Sequence, residues 1–340
     1  MDPQAMTRRR GQPGGQRLRV RTASGILVRR LLLALPVTAG ITALVFWLAS
    51  VAPFNPLANY LGSRYVRTDA TQREALNEQL GLDTPWFLMW WRWAVDAVHG
   101  DWGFSRLYAQ PVREVLLERL PYTALLTLTG LLLAVVASLL LAWLAARHRA
   151  GVLDRAVVLF AQSAQALPPF VLALIAIAIF ALGLGMPAGG ASSAGAAPTA
   201  GTMLVHLILP AMVLAVSLLP WLLLNLRSSM FEVLESDAIL AARGRGVSEA
   251  QILRHEVLPV AALPFLTVVG SRLGELVTGA LLVESVFAWP GIASAVIDAA
   301  VAGDFALLAA VTACSCLMVF AGNALADAGY VLADPRVRDV

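Results

Sequence analysis

Lysine is absent from this 340-residue sequence, and charged residues of both signs are scarce. All 25 basic residues are arginines, the acidic residues number 22, and charged residues make up only 14% of the chain. Soluble domains carry about 25% charged residues, so this composition argues against a soluble globular protein. The absence of lysine also excludes the usual ATP-binding P-loop, because the Gly-Lys-Ser/Thr signature uses lysine to hold the nucleotide phosphates.

Cysteine and histidine are also too few, and too scattered, for metal or nucleophile chemistry. Cys314 and Cys316 lie in an apolar run without a nearby histidine or carboxylate, so we predict buried thiols rather than a disulfide or a metal pair. The four histidines are far apart, and no H-E-x-x-H motif occurs. We therefore predict no metal site and no catalytic residue, which argues against an intramembrane hydrolase.

Apolar residues, by contrast, make up 59% of the chain, and the mean hydropathy is +0.73. A helix that crosses a bilayer needs about 20 consecutive apolar residues. The segments that satisfy this requirement are 26–50, 120–146, 156–183, 203–226, 257–283 and 305–332. The sequence therefore predicts an all-α polytopic membrane protein with six transmembrane helices. The first span is too long and lacks the cleavage site of a signal peptide.

The placement of arginine predicts the orientation, because short loops rich in arginine remain on the cytoplasmic side. With the N-terminus inside, most arginines fall in cytoplasmic segments, while the short outer loops 184–201 and 284–304 contain none. We therefore predict cytoplasmic N- and C-termini. Residues 1–25 form a basic cytoplasmic tail that contacts anionic lipid.

The remaining organisation follows from this topology. Residues 51–119 form a predicted extracytoplasmic segment, with short interfacial helices on either side of Gly81 and Pro85. Tryptophan is frequent in the second of these helices, which is typical of the membrane–water interface. Residues 120–340 form a core that contains the second to sixth spans. The glycine-rich tract 185–201 is predicted to be a flexible outer loop.

The most polar part of the core is the predicted cytoplasmic region 228–259. It includes "AARGRGVSEAQILRHEVLP", which predicts two short helices separated by Gly244 and Gly246. Ser248 is a suitable N-cap for the second helix, and Pro259 is suited to begin the next span. By physical reasoning alone, this segment is either a docking element for another protein or an interfacial connector whose arginines contact anionic lipid.

The same segment resembles the cytoplasmic motif of bacterial ABC importer permeases. That motif reads Glu-Ala-Ala, three residues, Gly, nine residues, Ile, one residue and Leu-Pro. The residues that match at these spacings are Ala241, Ala242, Gly246, Leu258 and Pro259. Leu240 and Glu256 replace the glutamate and the isoleucine of the motif.

Several other stretches are similar to the first permease subunit of the peptide/nickel branch of this superfamily. They include "LNEQLGLDTP", "GDWGFS", "ERLPYTALL", "LVESVFAWPGI" and the terminal "DPRVR", so the resemblance extends from Leu27 to Arg338. Three positions depart from that branch. Glu256 stands where histidine is usual, Val260 stands where asparagine is usual, and "PFNP" replaces a Gly-Asp-Pro after the first helix.

This resemblance implies the fold of an ABC type I importer permease in the bacterial cytoplasmic membrane, carrying peptides or similar small solutes. It implies four kinds of partner: a second permease subunit, one or two ATPase subunits, an extracytoplasmic binding protein and membrane lipid. ATP and Mg would be bound by the ATPase subunits, so we predict no cofactor, no enzymatic activity and no nucleic-acid partner for this chain.

The resemblance also implies two groups of functional residues. The loop that couples to the ATPase would contain Asp237, Ala241, Ala242, Arg243, Arg245, Gly246, Glu249, Leu258 and Pro259. Gly246 would permit a turn, the two alanines would allow close approach to a partner, and the charged residues would contact the ATPase. A possible translocation path would contain Phe287 and Trp289, which precede the last span where in similar subunits a short helix borders the path. Independently of the resemblance, Asn225, Arg272 and Glu275 are candidates to line the same path.

The path residues also permit other interpretations. Arg272 and Glu275 lie inside a predicted span, where ionisable groups are costly and often mark ion paths. They could serve an ATP-independent secondary transporter or channel, or they could neutralise each other across one helical turn. Asn225 could bond a neighbouring helix. Phe287 and Trp289 could be interfacial aromatic residues beside a Pro-Gly turn.

Overall fold

The computed structural model describes residues 13–51, 56–79, 84–193 and 197–333, and within these ranges the chain is almost entirely helical. The helices are α1 (Pro13–Val51), α2 (Pro56–Leu61), α3 (Ala70–Gln79), α4 (Trp86–Val98), α5 (Val112–Arg147), α6 (Val152–Gln165), α7 (Pro169–Ala176), α8 (Ala200–Leu234), α9 (Asp237–Gly244), α10 (Glu249–Gln251), α11 (Leu258–Val286), α12 (Ile292–Ala302) and α13 (Phe305–Ala333). Gly62–Arg67 is a 3₁₀ helix, while Ile177–Leu182 and Ile252–Val257 are π-helical. A two-residue antiparallel pair joins β1 (Phe104–Ser105) to β2 (Gln110–Pro111).

The described residues contain five helical segments that are long and apolar enough to cross a membrane. These segments are Leu32–Val51, Val112–Arg147, Ala200–Leu234, Glu249–Gly270 and Phe305–Ala324. A sixth span is obtained when the bent pair Val152–Gln165 and Pro169–Leu182 is taken together. The prediction of an all-α polytopic membrane protein is therefore confirmed.

The third span differs from its prediction as one continuous helix over 156–183. The chain bends by 104° between Gln165 and Pro169. Pro168 and Pro169 explain the bend, because proline lacks a backbone N–H and disfavours helical geometry in the residue before it. Before the bend, α6 buries Asp154, Val157, Ala161 and Ala164 at helical spacing, so it packs along one face.

The first helix also differs from its prediction. It begins at Pro13, inside the segment predicted to be a basic tail, and continues without interruption to Val51. Arg8 to Arg10, most of "PFNP" and the terminal "DPRVR" lie outside the described residues. An ion pair between Arg30 and Asp327, with Nη2 and Oδ2 2.7 Å apart, joins α1 to α13.

Two hydrophobic cores hold the helices together. The larger core is centred on α8, whose residues Leu214, Leu222, Leu223 and Leu226 are fully buried. The smaller core joins α5, α12 and α13. Cys314 and Cys316, predicted to be buried, are free thiols that are only partly buried.

Helices α5 and α8 approach each other closely at Gly130 of α5. A Cβ at this position would lie 2.8 Å from Cδ2 of Leu214 on α8. Small residues permit this kind of close packing between membrane helices. Gly130 therefore sets the separation of α5 and α8.

Helices α3 and α4 stand on either side of Gly81 and Pro85, where two short helices are predicted. Helix α4 packs against α1 through its aromatic face. Trp90 Nε1 donates a hydrogen bond to Thr42 Oγ1 over 3.1 Å, and the rings of Trp93 and Phe46 are 5.7 Å apart. The segment between the first two spans is thus attached to the membrane helices.

Candidate functional site

The polar segment between α8 and α11, residues 235–257, forms a compact unit that we call the polar knob. Helix α8 ends at Leu234, and α9 follows after Glu235 and Ser236. Of the two glycines predicted to separate two helices, Gly246 lies in the turn, while Gly244 is the last residue of α9. Gly246 has a φ of +77°, a left-handed conformation that glycine adopts without steric cost.

The turn at Gly246 is closed by two backbone hydrogen bonds. Gly246 N donates to Arg243 O over 2.9 Å, and Val247 N donates to Ala242 O over 3.2 Å. This is the Schellman arrangement, which satisfies the last carbonyl groups of a helix. Val247 then packs against the larger core, so the turn fixes the direction in which the chain leaves α9.

The second half of the knob begins at the predicted N-cap, Ser248. Ser248 Oγ accepts a hydrogen bond from Gln251 N, and the Gln251 side chain bonds back to Ser248 N. Arg243 and Glu249 form an ion pair across the turn, with Nε and Oε1 2.7 Å apart. These two residues were predicted to contact a partner, and the structure pairs them with each other.

The knob has a buried face and an exposed face. Ile239, Ile252, Leu253 and Val257 are buried in the larger core, together with Ala242, which is 3% exposed. The predicted role of Ala242 in close approach to a partner is therefore corrected, because its methyl group packs within its own chain.

The residues presented outward complete the description of the knob. Ala241, Arg245, Gly246 and Asp237 are exposed, and Leu240, which replaces the glutamate of the motif, is 68% exposed. Asp237 lies in the first turn of α9, where a carboxylate interacts favourably with the helix dipole. At the start of α11, Leu258 is half-buried and Pro259 is exposed.

Of the residues predicted to line a path, Arg272 and Asn225 each contact Trp221 of α8. The Arg272 guanidinium on α11 is 4.9 Å from the ring centroid of Trp221 on α8, a cation–π contact. Asn225 Nδ2 donates to the carbonyl of Trp221 over 2.9 Å, so it bonds its own helix rather than a neighbour. Glu275 also lies on α11, and its side chain is outside the described set.

Phe287 and Trp289, the other two predicted path residues, are buried rather than presented to a path. Phe287 is 1% exposed and Trp289 is 0% exposed. Trp289 Nε1 donates to the carbonyl of Tyr122 over 3.0 Å, and the two rings meet edge to face at 5.9 Å. These side chains hold the segment after α11 against α5, and the prediction is corrected accordingly.

Glu284 is a central residue for which the sequence alone predicts no role. Its carboxylate is fully buried and accepts hydrogen bonds from Thr123 Oγ1 over 2.7 Å and from Ala293 N over 2.8 Å. Thr123 Oγ1 also accepts from Ile292 N over 2.8 Å. The available signal was a lone carboxylate at the end of an apolar span, just before Pro290 and Gly291 and the start of another helix.

Arg119 and Asp304 reinforce the same region. Arg119 Nη1 donates to Gly291 O over 3.2 Å and to Ser294 Oγ over 2.9 Å. Asp304 is 4% exposed and accepts from Ser105 Oγ over 2.7 Å. Polar side chains from α5, the β pair and the chain before α13 thus fix the position of α12.

The ion pair between Arg227 and Asp154 anchors α6 to α8 near the polar knob. Arg227 Nε and Nη2 contact the two carboxylate oxygens of Asp154 over 2.6 and 2.9 Å. The guanidinium of Arg227 also lies 4.1 Å from the ring centroid of Phe231. No sequence pattern joins these residues, because they are far apart along the chain.

The polar knob connects an exposed surface to the membrane helices. Within the described ranges, no group of three or more His, Cys, Asp or Glu side chains could hold a metal ion. The knob instead combines an exposed surface with a buried attachment to α8 and α11. A force applied to its exposed face would therefore reach the membrane helices directly.

Comparison with known proteins agrees with the family resemblance seen in the sequence. Residues 138–339 match the family described as "Binding-protein-dependent transport system inner membrane component". The chain is 33% identical over 313 residues to the oligopeptide transport system permease protein AppB of Bacillus subtilis (strain 168), covering 92% of this chain and 98% of the relative. It is 30% identical over 313 residues to the glutathione transport system permease protein GsiC of Escherichia coli (strain K12), with the same coverage.

Proposed function

Because this chain belongs to the family of binding-protein-dependent transport system inner membrane components, we propose that it forms half of the translocation path of an ATP-driven peptide importer. It is a multi-pass ABC permease subunit, and its relatives include permeases named for oligopeptides and for glutathione. This membership favours an importer subunit over an ATP-independent transporter based on Arg272 and Glu275.

The observation that carries the proposal is the geometry of the polar knob. Its buried face is continuous with the larger core, and its exposed face presents Leu240, Ala241 and Arg245. We assign the knob to the cytoplasmic side, with both termini on that side, because the arginine-rich segments then remain in the cytoplasm. An ATPase subunit that binds and hydrolyses ATP with Mg would dock there and move α8 and α11.

The proposed path runs beside α8 and α11, where Arg272, Trp221 and Asn225 are grouped. A charged group inside a membrane helix is costly unless it faces protein or water. A second permease subunit opposite this face would enclose the path. An extracytoplasmic binding protein would deliver the solute, which we propose to be a peptide or a similarly sized small solute.

The proposal is tested by purifying the tagged chain from its native membrane in mild detergent and identifying the co-purifying proteins by mass. We expect a second permease, one or two P-loop ATPases and a binding protein. The recovered complex would then be reconstituted in vesicles, and uptake of labelled di- to pentapeptides would be measured with ATP and with a non-hydrolysable analogue.

Two results would contradict the proposal in different ways. Recovery of the chain alone, with uptake that proceeds without ATP, would reject the importer assignment. Recovery of the complex with ATP-dependent uptake of another solute, and no uptake of peptides, would reject only the substrate class. Arg245→Ala is a useful variant, because it should weaken ATPase recovery while leaving insertion unchanged.

A further inference from the structure

A cavity of about 520 Å³ lies between the polar knob and the end of α5. Its walls come from the last turn of α5, the loop that follows it, the end of α8 and both halves of the knob. The volume is within the range of about 300–1,000 Å³ that is usual for ligand sites. The residues proposed to line the path, and Leu240, Ala241 and Arg245 on the exposed face of the knob, do not line this cavity.

The cavity lies at the end of α5, next to the last residue of α8. Trp143 of α5 and Leu234 of α8 both line it. The apolar run of α5 ends at Ala146, one residue before Arg147, so the last turn of α5 lies near the boundary between hydrocarbon and headgroups. Tryptophan is enriched at this level, because its apolar ring and its N–H favour the headgroup region.

The polar lining of the cavity is mainly cationic. Its cations are Arg147, Arg149 and Arg243, beside the imidazole of His148, and Glu249 is the acidic member. Arg243 is paired with Glu249, and Arg149 is paired with Glu235, which is not part of the lining. Among the residues that the structure describes, Arg147 has no ion-pair partner, and it is exposed. The lining therefore retains positive charge after its internal pairs are formed.

We propose that this cavity binds the phosphate of an anionic phospholipid headgroup. Arginine matches phosphate geometry through two parallel N–H donors, and basic pockets between membrane helices are suited to anionic headgroups. The apolar side chains of Trp143, Leu234 and Leu253 would contact the glycerol and the first methylene groups of the lipid. With the orientation proposed above, the lipid comes from the cytoplasmic leaflet.

An acidic segment of the ATPase is the competing occupant, and the structure favours lipid. The cavity is lined by the last turn of α5 and the end of α8 as well as by part of the knob, and the exposed knob residues Leu240, Ala241 and Arg245 are not part of the lining. A bound headgroup would touch α5, α8 and the knob together. It would thus connect the knob to helices at the level of the membrane surface.

The experiment measures binding to the purified full chain, so its outcome does not depend on the transported solute. The chain is placed in nanodiscs of phosphatidylcholine with or without phosphatidylglycerol, released, and examined for retained lipid by native mass spectrometry. We expect selective retention of phosphatidylglycerol. Arg147→Gln should weaken retention about fivefold, the effect of one arginine near a membrane surface.

Two further variants make the result specific to the cavity. Ala250→Asp adds an anion to an exposed lining residue and should weaken retention by at least as much as Arg147→Gln. Arg155→Gln is the matched control, because Arg155 is exposed on α6 and does not line the cavity. Thermal unfolding of each variant in phosphatidylcholine alone would confirm that the fold is intact.

The possible outcomes separate the sources of phosphate. If inorganic phosphate displaces the retained lipid from the parent chain but not from Arg147→Gln, the phosphate chemistry is supported and the site also accepts the free ion. If phosphate does not displace it, the lipid is the specific ligand. The proposal is overturned if phosphatidylglycerol is not enriched, or if Arg155→Gln has the same effect as Arg147→Gln. It is also overturned if the complex recovered with the ATPase, examined in the same way, retains no phosphatidylglycerol.

Discussion

At the scale of single residues, the buried carboxylate of Glu284 explains the local structure after α11. It bonds Thr123 of α5 and the backbone of Ala293 at the start of α12. Gly291 faces it closely, because a Cβ built there would lie 2.2 Å from the carboxylate. Gly291 has an extended backbone, so what requires glycine here is space rather than an unusual φ angle.

Gly291→Ala is therefore expected to displace the Glu284 side chain and break its hydrogen bonds. Because an unsatisfied buried acceptor costs about 1–3 kcal/mol, the variant should unfold at a lower temperature in detergent than the parent. Gly201→Ala is the control, since nothing lies within 4 Å of its added Cβ. Equal unfolding temperatures for the two variants would show that the Glu284 carboxylate can move without loss of stability.

At the scale of secondary-structure elements, the polar knob depends on the turn between α9 and α10. The left-handed residue Gly246 and the ion pair between Arg243 and Glu249 hold the two halves in one geometry. The turn residue is exposed and nothing lies within 4 Å of a built Cβ. Substitution at Gly246 therefore tests backbone geometry rather than packing.

Gly246→Val should disrupt the turn of the polar knob and so weaken its coupling to the ATPase, because left-handed geometry costs a branched residue about 1–2 kcal/mol. That lowers the ratio of native to non-native turn by roughly 5- to 30-fold. We expect normal insertion but a loss of peptide-stimulated ATP hydrolysis in the reconstituted complex, up to that factor. Gly246→Asn should retain most of the activity, because asparagine tolerates this conformation.

Gly244→Val provides the matched control for this experiment. Gly244 is two positions away, is also exposed, and does not have a positive φ. A loss of coupling in Gly244→Val as large as that in Gly246→Val would indicate that side-chain bulk, and not the turn, interferes with the ATPase.

The packing of α5 on α8 gives a second prediction at the element scale. Gly130→Ala would place a methyl group 2.8–3.1 Å from atoms of the Leu214 side chain, and overpacking of this kind costs about 1–3 kcal/mol. The unfolding temperature of Gly130→Ala should therefore be lower than that of the parent chain. In a Leu214→Ala background the clashing side chain is shortened, so adding Gly130→Ala should lower the unfolding temperature much less. Gly40→Ala on α1 has nothing within 4 Å of its Cβ and should be neutral.

At the scale of the whole molecule, the bent third span must be held against the bundle. The pair between Asp154 and Arg227 does this, because it joins α6 to the C-terminal part of the central helix α8. Asp154 is 4% exposed, so loss of its partner leaves a charge away from water. Two cation–π contacts of Phe231, with Arg227 and Arg149, lie beside the pair.

Asp154→Asn and Arg227→Gln should each lower stability by about 3 kcal/mol, the lower end for breaking a buried pair. The lower end applies because the Arg227 side chain remains 24% exposed. The double variant should be little worse than either single variant, which would give a coupling energy within the range of about 0.5–3 kcal/mol that is usual for neighbours. Strictly additive losses, measured by denaturant titration in detergent, would show that the two residues act separately.

The sequence by itself determined the membrane class, the number and approximate positions of the spans, and the family. These properties are local, because hydropathy is read along the chain and the motif from Ala241 to Pro259 has fixed spacing. The turn at Gly246 and the cap at Ser248 were also predictable, since helix termini are set by a few adjacent residues. The bend at Pro168 and Pro169 had a local signal too, but apolar composition alone does not distinguish a straight span from a bent one.

Only the tertiary structure decided which side chains face inward and which distant residues meet. Ala242 and Trp289 are buried, Asp154 meets Arg227, and Glu284 meets Thr123, although none of these facts is encoded by local spacing. The cavity beside the knob likewise requires four separate stretches of chain to converge. The physical reason is that burial and pairing depend on how helices pack, and six similar apolar helices can be distinguished only by their few polar and small residues.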